Sequence, residues 1–212
     1  MPPPQHHNVL HAPTARALLI TSASIQREFN MTARKSEIER STRETRISIS
    51  LDIDGTGKFD VTSDIQFLKH MTETLARYAS FDVRMSAAGD NDHHIIEDSA
   101  ITFGKALRQA LGDGPIERMA TAVVPMDDAL VMASLDLVDR PYADVDLPDP
   151  LYTHYMRSLA MSAGMTIHIV VIRGFDKHHI VEAAFKAVGK ALSVAVRPRS
   201  EELSTKDREI IG

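Results

Sequence analysis

His93-His94-Ile95-Ile96-Glu97 and His178-His179-Ile180-Val181-Glu182 are the two stretches whose reading decides the fold. Each is a His-His-x-x-Glu run that opens a segment of helical periodicity. Each also trails a lone histidine in an earlier helical segment: His93 follows His70 by 23 residues, and His178 follows His154 by 24. A motif repeated with its neighbour at matched spacing marks a duplicated unit.

The flanks repeat in the same order. Thr45 to Asp52 alternates as a half-buried strand, with Ile47, Ile49 and Leu51 on one face. Asp54-Gly55-Thr56-Gly57 turns the chain, and Lys58 to Ser63 reads as the return strand of a hairpin. Phe67, Leu68, Met71, Leu75 and Tyr78 recur at helical spacing, and Phe81 to Ala87 is a strand ended by Gly89-Asp90-Asn91. His93 to Ala110 is a second helix, stopped by Gly112-Asp113-Gly114-Pro115. In the second half Ala120 to Val124, Ala129 to Leu137 and Ala143 to Leu147 supply strand residues. Tyr152 to Met161 is helical, Met165 to Ile172 a β-branched strand, Arg173 to Lys177 a turn, and His178 to Val196 a long helix.

Each half thus reads strand-strand-helix-strand-helix, which is α+β. The expected boundaries are 34–119 for the first half and 120–212 for the second. Duplicated halves pack as pseudo-symmetric mates, so the helices are expected to share a central layer between two sheets. Residues 1–33 show no periodicity and read as a poorly ordered tail or upstream addition, with Met31 a candidate start and an arm on a neighbouring subunit the competing reading. His6, His7 and His11 are expected to bind nothing.

Composition narrows the chemistry. A formal charge of -5 gives no clustered basic face, which argues against nucleic acid. No run has the apolar length of a membrane span. With no cysteine there are neither disulfides nor thiolate ligands, so any metal falls to imidazole and carboxylate, a set suited to manganese, iron or zinc. A cytoplasmic setting fits this usage.

On a helix, residues three and four apart are neighbours, so His93 and His94 both lie near Glu97, as His178 and His179 do near Glu182. Adjacent histidines diverge by about 100 degrees. A His-His pair therefore serves a single ion poorly and serves two ions well, one ligand each. His70, His93, His94, Glu97, His154, His178, His179 and Glu182 divide evenly into two sets of three imidazoles and one carboxylate. One His-His-x-x-Glu alone would be unremarkable; two at matched repeat positions are not. Asp92 is expected to cap its helix, Asp98 to support an imidazole from behind, and His168 to be structural or to line a pocket.

The motifs resemble those of imidazoleglycerol-phosphate dehydratases. The matching residues are Arg40-x-Thr42-x-Glu44-Thr45, Leu51-Asp52-x-Asp54-Gly55-x-Gly57, Phe67-Leu68-x-His70-Met71, Pro125-Met126-Asp127, Asp136-Leu137-x-x-Arg140-Pro141-Tyr142 and Arg157-Ser158-Leu159-Ala160. The doubled histidine motif, its extension to Phe185-Lys186-Ala187, and Ser204-Thr205-Lys206 complete the set. The resemblance spans about Arg40 to Lys206. It departs from the family pattern at Ser63-Asp64-Ile65-Gln66, at Lys69 in place of an aspartate, in a shorter loop between Asp90 and His93, at Asp128 and Val138-Asp139, and at Leu203 and Asp207.

The resemblance implies halves like the second domain of ribosomal protein S5, and two manganese ions per subunit held by the eight residues above. It implies Glu44 as the acid/base residue and a phosphate pocket of Arg118, Arg140, Lys186, Ser204 and Lys206, the last two on a C-terminal substrate-binding tail. The implied reaction is dehydration of imidazoleglycerol phosphate to imidazole acetol phosphate in histidine biosynthesis, through a metal-bound imidazolate and a diazafulvene-like intermediate. The implied assembly is a homo-oligomer of trimers built into a 24-mer, with sites between subunits. A different dinuclear hydrolase and a non-catalytic metal-organised shell are the alternatives.

Overall fold

The computed structural model describes Met1 and residues 33–201. The tail reading of residues 1–33 falls almost entirely outside the described residues, as do Ser204 and Lys206. The first half runs β1 (Lys35–Ser41), β2 (Thr45–Asp52), β3 (Phe59–Ser63), α1 (Gln66–Ala79), β4 (Asp82–Gly89) and α2 (Asp92–Leu111). The second runs β5 (Met119–Met126), β6 (Ala129–Asp136), β7 (Tyr142–Val145), α3 (Pro150–Ala163), β8 (Thr166–Arg173) and α4 (Lys177–Ala195).

The duplication holds at the level of hydrogen bonding. One sheet has the order β1-β2-β4-β3 and the other β5-β6-β8-β7. In each, the first two pairings are antiparallel and the last is parallel. The opening strand β1 adds one element to the sequence-based order of the first half. Its inward positions are Ser36, Ile38 and Arg40, only one of them apolar, so no hydrophobic alternation announced it. Ser36 is nonetheless buried, its hydroxyl donating to the Ala106 carbonyl of α2 at 2.8 Å.

The expected hairpin of Thr45 to Asp52 with Lys58 to Ser63 does not form. β4 lies between them, antiparallel to β2 and parallel to β3. The turn is instead tied to β4 by Asp82, whose carboxylate accepts from the Thr56 and Lys58 amides at 2.7 and 2.9 Å. Those two bonds hold the Asp82 carboxyl below the usual carboxylate range.

The helices form the middle layer. α2 covers β1 and β2, and α4 covers β5 and β6. α1 packs on α4 and α3 on α2, so every helix pair joins one half to the other. Inward strand residues such as Ile47, Ile49, Leu51, Val131 and Ile167 are buried against them, as are Leu68, Met71, Phe103 and Phe185. Each such side chain contributes about 1.5–3 kcal/mol through burial. Glycines set the helix crossings. A Cβ at Gly104 would stand 2.7 Å from the Leu159 carbonyl oxygen, and one at Gly189 2.9 Å from that of Leu75.

The helix starts matter most for the site. Asn91 caps α2 by accepting from the His94 amide at 3.0 Å. The expected cap, Asp92, is instead the first helical residue. Asp149 caps α3, with Pro150 in its first turn, and Asp176 caps α4 by accepting from His178 at 2.7 Å. Each cap fixes where a histidine-bearing helix begins, and hence which way its first-turn side chains face.

Candidate metal centre

Two clusters of like composition stand at the helix starts. His70 of α1 joins His178 and Glu182 of α4, and His154 of α3 joins His93 and Glu97 of α2. Each first-helix histidine therefore meets the pair of the other half, not the pair that follows it in its own half. The helix pairing makes this so, because α1 packs on α4 and α3 on α2.

Glu182 Oε2 lies 3.4 Å from His70 Nε2 and 3.3 Å from His178 Nε2. Glu97 lies 3.1 Å from His154 Nε2 and 3.7 Å from His93 Nε2. An ion about 2.1 Å from each ligand sets neighbouring ligand atoms about 3.0 Å apart in an octahedron and about 3.4 Å apart in a tetrahedron. The spacings suit a first-row ion. His154 Nε2 supplies a second test: it is buried and has no hydrogen-bond partner, despite facing Glu97 at 3.1 Å. A cation between the two would satisfy both. Phe67 lies against His178, its ring centre 4.9 Å away, and meets Tyr152 edge-on, also at 4.9 Å.

His94 and His179 join neither trio. Each turns aside to carboxylates that orient its Nδ1. His94 Nδ1 is 2.8 Å from Asp90 and 3.7 Å from Glu44. His179 Nδ1 is 2.6 Å from Asp128, with Asp127 3.4 Å from Nε2. The hydrogen bonds to Asp90 and Asp128 raise both imidazoles above the ordinary histidine pKa. Asp128 also accepts from the Phe175 and Asp176 amides, which ties the β5–β6 turn to the start of α4. Its carboxyl is held far below the usual range, chiefly by His179.

Known proteins match this chain in sequence and in fold. The imidazoleglycerol-phosphate dehydratase family model matches residues 63–192. The chain belongs to the imidazoleglycerol-phosphate dehydratase family. The family enzyme of Methanothermobacter thermautotrophicus is 45% identical over 193 residues, 84% of this chain and 99% of that one. That of Cereibacter sphaeroides is 44% identical over 179 residues, 78% of this chain and 92% of the relative. Among solved structures, IGPD of Pyrococcus furiosus superposes with a TM-score of 0.72 at 38% identity, covering 79% of this chain and 98% of that one. The Staphylococcus aureus enzyme gives 0.71 at 28% identity, covering 78% and 99%.

Against the imidazoleglycerol-phosphate dehydratase pattern, Lys69 brings no charge into the trio beside it. Its ammonium is directed along α1 toward Glu73, 4.0 Å away. Asp98 does not support an imidazole as expected; it is buried and bound to Arg40 and Thr45. His168, on β8, lines a pocket of about 340 Å³ on the second sheet.

The basic residues assigned to phosphate are split. Arg118 precedes β5 and pairs with Asp136 at 2.7 Å, and Arg140 follows β6 at the same end of the sheet. Lys186 faces Met126 at the far end of β5 and pairs with Glu182 at 2.9 Å. The length of β5, about 23 Å at the usual rise per residue, separates the two groups. Burial raises the Glu182 carboxyl, but Lys186 and His70 outweigh it and leave the pKa below the ordinary value. In the first half the position equivalent to Lys186 is Ile101, so the two trios differ in charge.

Proposed function

We propose that the chain is a hydro-lyase that dehydrates imidazoleglycerol phosphate to imidazole acetol phosphate in histidine biosynthesis. The observation that carries this reading is the pair of crossed histidine-glutamate trios, found in a chain of this family. Two manganese ions per chain are the cofactor in this reading, one at each trio, with His94 and His179 as the third imidazoles. Two ions on the substrate's imidazole ring would act as Lewis acids and as a template for orientation.

The residues of the chain supply the rest. Glu44 stands beside His94, exposed at the turn between β1 and β2. In this reading its carboxyl delivers a proton to the hydroxyl leaving the ring-bearing carbon, which departs as water. The carboxylate left behind takes the hydrogen from the neighbouring carbon. The resulting enol becomes the ketone when the ring-bearing carbon takes up a proton and the enol hydroxyl gives one up. Arg118, Arg140, Lys186, Ser204 and Lys206 hold the phosphate, guanidinium groups in bidentate fashion and ammonium groups as point charges.

A homo-oligomer of trimers built into a 24-mer, working in the cytoplasm, completes the reading. Three observations support assembly. Each trio has two imidazoles, while His94 and His179 face away from both. Arg118 and Arg140 lie at one end of β5 and Lys186 at the other, a division that a second copy would close. The outer face of the second sheet exposes Met119, Val123, Tyr142, Val170 and Ile172, where the first sheet exposes Lys35, Glu37, Glu39 and Arg84. An apolar face of that kind suits contact with another copy.

The test is turnover of imidazoleglycerol phosphate by metal-stripped protein with and without manganese, with metal per chain read in the same samples. Manganese-dependent dehydration at about two ions per chain is expected. Two ions without dehydration would leave the sites and remove the reaction. Glu44→Gln is expected to keep its metal and lose turnover.

A further inference from the structure

We infer that Asp98 is a positioning residue for Glu44, acting through Thr45 and Thr42; this rests on the assignment of Glu44 made above. Asp98 lies on α2 directly after Glu97 and is buried, as is Thr45. Both of its carboxylate oxygens are engaged. Arg40 Nε donates to one at 2.7 Å, and the Thr45 hydroxyl donates to the other.

The donors then run in one direction. Because the Thr45 hydroxyl gives its proton to Asp98, the 3.2 Å contact between Thr42 and Thr45 hydroxyls must be Thr42 donating. The lone pairs of Thr42 Oγ1 are thereby turned to the backbone, where they accept from the Glu44 amide at 3.1 Å and the Thr45 amide at 3.0 Å. The Glu44 carbonyl is held from the other side by the Asp90 amide at 3.0 Å. Gly89 allows that approach, since a Cβ there would stand 2.8 Å from the Glu44 carbonyl oxygen. The amide of this exposed turn residue is thus linked through Thr42 and Thr45 to the helix that carries His93, His94 and Glu97, and its carbonyl is held by Asp90 in the loop just before that helix. A buried carboxylate with no unused oxygen is costly to place and is retained where it orders a network. Here the network ends on Glu44, whose carboxylate sits 3.7 Å from His94.

A misplacement of about 1 Å in a reacting group costs on the order of 100-fold in rate. Asp98→Asn, Thr45→Val and Thr42→Val are therefore expected to lower kcat by about 10- to 100-fold. KM and manganese per chain should stay near wild type, and Thr45→Ser, which restores the hydroxyl, should recover most of the rate. Thr42 is exposed and its variant leaves the Arg40–Asp98 pair intact, so a folding defect in Asp98→Asn does not remove the test. Glu44→Gln is run alongside. If it is inactive while Thr45→Val and Thr42→Val keep wild-type kcat, the positioning role is wrong and the Glu44 assignment stands. If rate falls only in step with metal content, Asp98 is a structural clamp and the inference fails. If Glu44→Gln turns over normally, the assignment fails and the inference with it.

Discussion

The crossed trios make a prediction about pairs of substitutions. His70 and His178 face the same Glu182 oxygen, at 3.4 and 3.3 Å, while His93 belongs with Glu97 and His154. His70→Ala and His93→Ala should each remove about one ion per chain. His70→Ala with His178→Ala should remove no more than either alone, because both strip the same site. His70→Ala with His93→Ala should remove both ions. An ion present at 100 times its dissociation constant adds about 2.7 kcal/mol to stability. For a domain of this size each kcal/mol moves Tm by about 2–4 °C, so each ion is worth about 5–11 °C. Metal per chain by elemental analysis and thermal melts with and without manganese read the two quantities independently. The cross-half geometry is refuted if the His70/His93 double variant keeps one ion while the His70/His178 variant keeps none, since that result assigns each histidine to the pair in its own half.

Two further outcomes follow from the fold itself. Gly104→Ala and Gly189→Ala should each destabilise by about 1–3 kcal/mol, because the added methyl meets backbone of the crossing helix at 2.7 and 2.9 Å; chemical denaturation checks this, and neutral variants would mean the helices can part cheaply. Asp82→Asn should lower Tm at pH 7, and the deficit should shrink as pH falls below about 4. The folded-state pKa of Asp82 is depressed by the Thr56 and Lys58 amides, so its contribution is present above the unfolded pKa and is lost as pH falls through the folded one. A deficit that is the same at pH 3 and pH 7 would show that the charge plays no part.

Much of this was legible in the sequence, and what was not has physical causes. The duplicated helices showed in two motifs at matched spacing, and the buried alternation of β2 showed in Ile47, Ile49 and Leu51. β1 escaped because its inward positions include Arg40, a residue there to meet Asp98 and not to fill the core. The hairpin of β2 with β3 was the natural local reading, yet sequence proximity says nothing about β4 inserting between them. The same blindness applied to the site. Matched intervals of 23 and 24 residues marked the repeat but left open which histidines share an ion, and helix packing brings His70 to His178 and His154 to His93. Asp98 was visible as a residue beside a ligand, but its partners lie 53 and 58 positions away in sequence.

Duplication explains the two like clusters, but a duplicated chain that remained symmetric would have no preferred direction for a reaction between them. The symmetry is broken at three places around the trios. The first-half turn carries Glu44, braced through Thr42 and Thr45, while the turn at the matching place carries Asp127-Asp128, with Asp128 fully engaged by His179 and two amides. Each turn leaves one carboxylate exposed beside its histidine, Glu44 3.7 Å from His94 and Asp127 3.4 Å from His179, and the Glu44 backbone is held by the Thr42 hydroxyl and the Asp90 amide. Lys186 shares Glu182 in one trio, and Ile101 stands in its place in the other. The outer face of one sheet is charged and that of its twin apolar. All three differences sit on a common scaffold, and in the function proposed above they give the paired trios one side for proton transfer and one face for another copy of the chain.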